Sequence, residues 1–277
     1  MAVPLDLRTL SNDEIITRVQ TALALKFDLA TQVSKRRSLG FRTTNDTWVR
    51  IEVRALDRID GQGWNGVECA EVLESVSKPA WHQGIAWIDR NAGLAWRADE
   101  TELVLDPPIK PGGILATHPK LSAEWWRIFN ASLDALVAHH TTRRATPGMR
   151  PLTQDRVTAA IHQVFPDVET TVDEWATAHG DFAWANLTAP NCVILDWEDW
   201  GRAPRGYDAA TLWSESFAVP GLAERIYMER RDDLDSHTGR LMRLYRCAVL
   251  IAAGDRSGAL LEPAKAHAAQ LVSELGP

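Results

Sequence analysis

A chain of 277 residues, 45% hydrophobic and 24% charged, is long enough for two lobes or two modest domains with substantial cores. Its formal charge of −7 disfavours a general nucleic-acid binder, which usually carries a basic surplus, and no apolar run reaches the roughly 20 residues of a bilayer span. Cys69, Cys192 and Cys247 have the spacing of neither a disulfide framework nor a zinc site, and Met1 to Asp6 lacks the layout of a secretory signal, so a cytoplasmic protein is expected. Twelve Trp is an unusual number, and Trp suits cores and ligand pockets alike. The segment from Lys35 to Arg58 holds seven basic residues against three acidic ones, whereas the acidic clusters lie in the C-terminal half. That asymmetry suits an anionic cofactor on one side and a cationic substrate on the other, or two solvated surfaces.

Ser11-Asn12-Asp13-Glu14 predicts a helix cap, followed by Ile15, Ile16, Val19, Leu23 and Leu25 at near-helical spacing. The period changes at Thr31, and Phe41 to Thr44 and Thr47 to Val53 predict two strands around a turn at Asn45-Asp46. A loop over Gly61 to Gly66 leads into a short helix from Val67 to Val76, ended by Lys78-Pro79. Gly84 to Asp89 and Leu94 to Leu105 predict a further hairpin around Asn91-Ala-Gly93. Asp106 to Gly113, rich in Pro and Gly, predicts a linker without regular structure. Beyond it the pattern is helical over Ala123 to His139, Thr153 to Val164 and Tyr207 onward. The expected architecture is therefore α+β: a β-rich N-terminal lobe over 1–105, a linker over 106–113, and a mainly helical C-terminal lobe over 114–277.

One stretch carries chemistry: His179-Gly-Asp181, Asn186 five residues after Asp181, then Cys192-Val-Ile-Leu-Asp196-Trp-Glu198. His-Gly-Asp predicts a turn, and a loop can curl to bring Asp181 and Asn186 to one point. Leu187-Thr188 and Cys192 to Leu195, turning at Ala189-Pro190-Asn191, predict a short hairpin that returns Asp196 to the side of Asn186. The product is a carboxylate, an amide and a second carboxylate, the hard oxygen donors that Mg²⁺ takes together with water and phosphate. Asp181 remains to orient and deprotonate an attacking hydroxyl. The alternative reading makes these residues turn-formers and caps.

Protein kinases place a catalytic Asp, an Asn five residues later and a metal-binding Asp beyond a hairpin in the same order. The variant here, His-Gly-Asp-x-x-x-x-Asn followed by Asp-Trp-Glu and Trp200-Gly-Arg-Ala-Pro204-Arg-Gly-Tyr-Asp208, resembles the aminoglycoside phosphotransferase and choline kinase family. The resemblance implies a two-lobed protein-kinase-like fold, ATP or GTP as phosphoryl donor, and Mg²⁺. It implies Asp181 as catalytic base, His179 as the residue that orients the catalytic loop, and Asn186 and Asp196 as metal ligands. In that family a Lys on the third strand holds the phosphates and pairs with a helix Glu. Here the strand position holds Arg50, with Arg54 as a second candidate, and the Glu is Glu68, with Glu71 as fallback. Ser34 to Gly40 becomes the phosphate-covering loop, with Ser38 and the Gly40 backbone as contacts, and the hinge around Leu105-Asp106 receives adenine.

The acceptor expected from this pattern is a cationic, hydroxyl-bearing small molecule such as an aminoglycoside or related antibiotic. Glu198, Asp199 and Glu215 are the binding acids, with Asp208 and the 232–235 cluster further on. Trp197, Trp200 and Trp213 offer an aromatic site for a quaternary amine, which suits an amino-alcohol kinase of the choline kinase type. The plainer alternative makes Asp208 a cap for the helix beginning near Tyr207 and the 232–235 cluster a solvated loop. No nucleic-acid or membrane partner is expected, and the chain acts as a monomer or homodimer. Two rival readings are a kinase-like fold that binds without catalysis, motivated by Arg50, and a metal-dependent hydrolase using His179, Asp181 and Asp196.

Overall fold

The computed structural model describes residues 6–59 and 62–276. The signal-peptide reading of Met1 to Leu5 and the first residue of the Gly61 loop lie outside the described residues. The chain divides into two compact units, one of residues up to Val72 with Lys78–Leu105, the other of Leu73–Ser77 with Asp106 onward.

The first unit is a helix on an antiparallel sheet. After α1 (Asp13–Leu23) come β1 (Phe27–Ser34), β2 (Ser38–Thr43), β3 (Thr47–Ala55), α2 (Gly66–Cys69), β4 (Trp81–Asp89) and β5 (Leu94–Glu102), with strand order β1-β2-β3-β5-β4. The alternation read on β3 is real: Val49, Ile51 and Val53 are buried, while Trp48, Arg50, Glu52 and Arg54 point to the other face. On the buried face these residues join Leu39 and Phe41 of β2, Trp96 and Ala98 of β5, and Ile16, Val19 and Leu23 of α1. Burial of each such large aliphatic or aromatic side chain contributes about 1.5–3 kcal/mol, which makes this face the unit's main adhesive. Stacked pairs Phe27–Phe41 and Trp87–Trp96 reinforce it.

Three expectations for this unit change. β1 is a strand that the sequence conceals, because it is an edge strand with only Phe27 buried and no alternation to read. The Ser34 to Gly40 stretch is correspondingly a tight turn, with Ser38 and Gly40 inside β2 rather than in a loop. The helix expected over Val67 to Val76 is one turn, Gly66–Cys69, followed by a 3₁₀ turn over Ala70–Val72. A turn at Glu74-Ser75, with Ser75 at φ 61°, follows it, and the Glu71 carboxylate accepts from the Trp81 N–H at 3.1 Å and from Lys78 instead of facing a helix neighbour.

The second unit contains α3 (Ala123–Ala138), α4 (Gln154–His162), the paired β6 (Trp175–Ala178) and β7 (Gly201–Pro204), then α5 (Tyr207–Glu215), α6 (Pro220–Glu229), α7 (Arg231–Leu234), α8 (His237–Ala253) and α9 (Leu261–Leu275). Ser122 and Thr153 cap α3 and α4 by accepting from the N–H groups of Trp125 and Arg156. α5 is the central helix, buried from Tyr207 through Ser214. The Trp residues of this unit are mostly scaffold: Trp125, Trp126, Trp184, Trp197, Trp200 and Trp213 are all buried. The Asp106–Gly113 stretch has no regular element beyond a single bridge of Pro108 to Thr188, yet it is bonded in place. Ile109 N–H donates to Leu187 O at 2.8 Å and Ala189 N–H to Pro107 O at 3.2 Å. Among the described residues no helix is long and apolar enough to cross a membrane.

Candidate active site

The candidate site lies in the second unit, on the excursion between β6 and β7. These strands pair Ala178 with Gly201, so residues 179–200 form a loop whose two ends are pinned together. Gly180 is needed at its base: its φ is 87°, and a Cβ there would meet the Asp199 carbonyl oxygen at 2.6 Å. Asp208 on α5 fixes the loop from below. Its carboxylate accepts from the N–H groups of His179 at 2.6 Å and Gly180 at 3.0 Å. The cap expected from Asp208 on α5 is not formed; the side chain serves the loop instead.

His179 is fully buried, edge-on to Trp197 and Phe182. Its Nδ1 accepts from the Asp181 N–H at 3.3 Å, and its Nε2 lies 2.9 Å from the Leu195 carbonyl oxygen. An N–H donor on one side and a carbonyl on the other assign the Nε2–H tautomer. Asn186, also buried, donates from Nδ2 to the Asp181 carbonyl at 2.8 Å and to Asp181 Oδ2 at 3.1 Å. Leu195 is held on both sides, its N–H donating to Asn186 O at 2.8 Å and its carbonyl accepting from His179. Its successor Asp196 therefore starts beside both residues, at a left-handed φ of 69° that Asp tolerates better than most side chains. The expected hairpin is present as the Leu187 to Ile194 bridge, with Thr188 N–H donating to Val193 O at 3.1 Å. Asp181, at the exposed turn, thus stands with Asn186 and the start of the Asp196 segment in one bonded loop.

The donor set fits a hard divalent cation. Asn186 commits its Nδ2 to Asp181, so its Oδ1 is the oxygen it would offer a metal, and Asp196 would offer a carboxylate. Among the described residues no group of three or more His, Cys, Asp or Glu is placed to hold a metal ion, so this pair would need phosphate and water to complete a shell.

The acids expected to meet the acceptor separate in the structure. Asp199 is 7% exposed, and its Oδ1 accepts from the Thr146 hydroxyl at 2.9 Å, so it braces the loop. The Glu198 carbonyl accepts from Arg143, which also donates to Trp200 O at 3.0 Å. Asp233 is bonded to Arg205 and Arg230, and Asp235 to Tyr227 and Arg231. Trp197, Trp200 and Trp213 are buried rings and form no open aromatic cage. Glu215 is different. It sits at the end of α5 with Oε2 accepting from the Trp184 N–H at 3.4 Å, two residues before Asn186, and among the described residues its Oε1 has no hydrogen-bond partner. Burial pushes its carboxyl up from the ordinary range; Arg246 opposes that and the Asp181 charge adds to it. The folded protein therefore holds the Glu215 proton to higher pH than the unfolded chain, so this group's contribution to stability falls as pH rises through the carboxylate range. Glu215→Gln is expected to gain stability relative to wild type over that rise, with the difference absent at lower pH. Paired denaturant melts across pH 4 to 8 measure it, and a pH-independent difference would count against the buried carboxylate.

The residues proposed for the nucleotide are distributed between the units. Arg50, on β3, pairs with Glu52 two residues along its own strand, and Arg54 stacks on Trp64 at 4.5 Å. Glu68 does not partner Arg50: it accepts from Arg97 of β5 at 3.1 Å. Ser38 is buried at the start of β2, opposite Glu52, and Gly40 makes room for a neighbour, since a Cβ there would lie 2.2 Å from the Trp48 ring. Asp106 accepts from the backbone N–H of Asn191 at 3.1 Å and its Nδ2 at 2.7 Å, which stabilises the 189–191 turn. Sequence reasoning missed Arg97 and Asp99. The period of two on β5 puts both on the polar face, a signal that was present in the sequence.

Taken together, the five-stranded sheet unit, the helical unit and the pinned loop define a protein-kinase-like fold of mixed α+β class. No family model matches the chain, and no curated protein matches it. Solved structures match over nearly its whole length. An amicoumacin kinase in complex with AMP-PNP, Ca²⁺ and Ami is 12% identical, covers 96% of this chain and 93% of its own, and has a TM-score of 0.56. An ADP-bound aminoglycoside phosphotransferase is 12% identical over 95% of this chain and 97% of its own, with a TM-score of 0.53. A putative fructosamine-3-kinase from Thermobifida fusca is 14% identical over 93% and 99%, with a TM-score of 0.56. The fold is thus one used by kinases of small molecules.

Proposed function

We propose that this protein is a small-molecule kinase that transfers the γ-phosphoryl group of ATP or GTP to a hydroxyl of an amine-bearing acceptor. The observation that carries the reading is the bonded loop in which Asn186 grips Asp181 while Leu195 ties Asn186 and His179 to the start of the Asp196 segment. In this reading Asp181 orients the acceptor hydroxyl and takes its proton as the oxygen attacks the γ-phosphorus. The new O–P bond forms as the bond to the β-phosphate oxygen breaks, and ADP or GDP leaves. Asn186 and Asp196 would hold Mg²⁺, which supplies neutralisation of phosphate charge when bound. His179 positions the loop through its two ring nitrogens and does not reach substrate. The first unit supplies the nucleotide subsite, and the backbone around Leu105-Asp106 serves the adenine edge.

Glu215 supports an acceptor with an ammonium group, since its carboxylate is bonded to the Asp181 loop at the Trp184 N–H and feels the Asp181 charge. Aminoglycoside-type antibiotics and simpler amino alcohols both satisfy that chemistry. A protein of this fold that binds nucleotide without turnover is the second reading, favoured by the Arg50–Glu52 pair. Asp196→Ala is expected to weaken Mg²⁺-dependent nucleotide binding by about tenfold or more, the loss of one charged metal ligand. Calorimetric titration of nucleotide with and without Mg²⁺ reads it, and an unchanged Mg²⁺ dependence rules out the metal role.

A further inference from the structure

The polar face of the sheet in the first unit carries a guanidinium that the site residues above leave out. Arg97 of β5 is 8% exposed. Its Nε donates to Asp99 Oδ2 and its Nη2 to Asp99 Oδ1, both at 2.6 Å, the two-pronged geometry that fixes an arginine plane. Nη2 also donates to Glu68 Oε2 at 3.1 Å. Asp99 is itself held by the Trp81 indole N–H at 2.8 Å. Position 84 on β4 is Gly, and a Cβ there would lie 2.7 Å from Asp99 Oδ1 and 3.5 Å from Arg97 Nη2, so the sheet leaves room for this pair. The scaffold thus engages Nε and Nη2. Nη1, with two further N–H donors, has no protein partner among the described residues and is not sealed from solvent.

A pre-oriented cation with an unused pair of donors is what an anionic oxygen group binds, because little rotamer freedom is left to lose. Arg50, by contrast, turns along its own strand to Glu52. We propose that Arg97, fixed by Asp99 and Glu68, is the cation of this unit that binds the polyphosphate of a nucleotide, in place of the third-strand residue Arg50. The proposal rests on the kinase reading above and names the residue that executes its nucleotide step. Glu68 then acts as a positioning residue through Arg97.

The test compares Arg97→Lys, Arg50→Lys and Glu68→Gln in the full chain, titrated by calorimetry with ADP and with adenosine, which lacks phosphate. Arg97→Lys keeps the charge and loses the fork, and is expected to weaken ADP by about tenfold while adenosine affinity stays within about twofold. Arg50→Lys is expected to weaken ADP by less than about threefold. Glu68 is 47% exposed in its side chain, so Glu68→Gln folds even where Arg97→Lys does not. It is expected to weaken ADP by a few-fold, again without changing adenosine. A larger ADP loss in Arg50→Lys than in Arg97→Lys, or parallel losses of ADP and adenosine, overturns the assignment while leaving the kinase reading intact. Wild-type protein that binds neither ADP nor ATP overturns both.

Discussion

Asp181→Ala is expected to lower kcat by roughly 10²–10⁴-fold, the range that a positioned general base contributes, while nucleotide affinity stays within about threefold. The structure makes this a clean substitution. Asp181 is exposed, and of the two bonds it receives from Asn186 only the one to Oδ2 is lost. The bond at 2.8 Å to its backbone carbonyl survives, so Asn186 keeps its orientation and the loop keeps its shape. Stability is expected to change by no more than about 0.5 kcal/mol, as for other exposed substitutions. Steady-state turnover, nucleotide titration and a thermal melt on one preparation read all three quantities. Near-wild-type turnover would remove Asp181 from the role of base.

Asp208→Ala is expected to be the most damaging single change to the fold of the second unit. It takes away a 5%-exposed carboxylate and leaves the N–H groups of His179 and Gly180 without an acceptor. Each buried unsatisfied donor costs about 1–3 kcal/mol, so a total of about 2–6 kcal/mol is expected for the two. Burial also pushes the Asp208 carboxyl up, against the two N–H donors of His179 and Gly180. Asp208→Asn should recover little, because its single oxygen can align with only one of the two donors and its NH₂ group then faces the other. Denaturant unfolding gives the stability, and turnover measured on the folded fraction gives the effect on the loop. A loss below about 0.5 kcal/mol would show that the loop does not depend on this carboxylate.

The segment from His179 to Asp208 was legible because its chemistry is local. The five-residue spacing, the Gly at the turn and the short hairpin all act within thirty residues, and each reappears as a bond or a backbone angle. Likewise the alternation on β3 and the turn at Asn45-Asp46 gave the sheet its centre. The illegible parts are those where partners come from far away. Nothing near Asp208 says that it will hold His179 rather than cap its own helix. Nothing near Asp199 says that Thr146, 53 residues earlier, will bond it in the interior. Glu68 was sought by a third-strand cation, and its actual partner, Arg97, arrives from β5, 29 residues on. β1 failed for a different reason: an edge strand with one buried residue has no period to detect. The acidic composition also read as one cation-attracting set, whereas Asp199, Asp208 and Asp233 are buried and bonded, and Glu215 stands at the Asp181 loop through its bond from the Trp184 N–H.

That redistribution narrows the acceptor. An extended polycation site would need several open carboxylates, and the structure places most of them inside the unit as braces. Under the proposed reading a single ammonium would need one acid, for which Glu215 is the candidate, and that favours compact amine-bearing alcohols within the proposed class. The most direct measurement offers wild-type protein ATP or GTP with Mg²⁺ and a panel of such alcohols and aminoglycosides, and follows nucleoside diphosphate release alongside the acceptor's mass. One acceptor is expected to gain a single phosphoryl group for each diphosphate released, with both signals lost in Asp181→Ala. Diphosphate release that is equal in wild type and Asp181→Ala, with no acceptor gaining mass, would contradict the kinase reading.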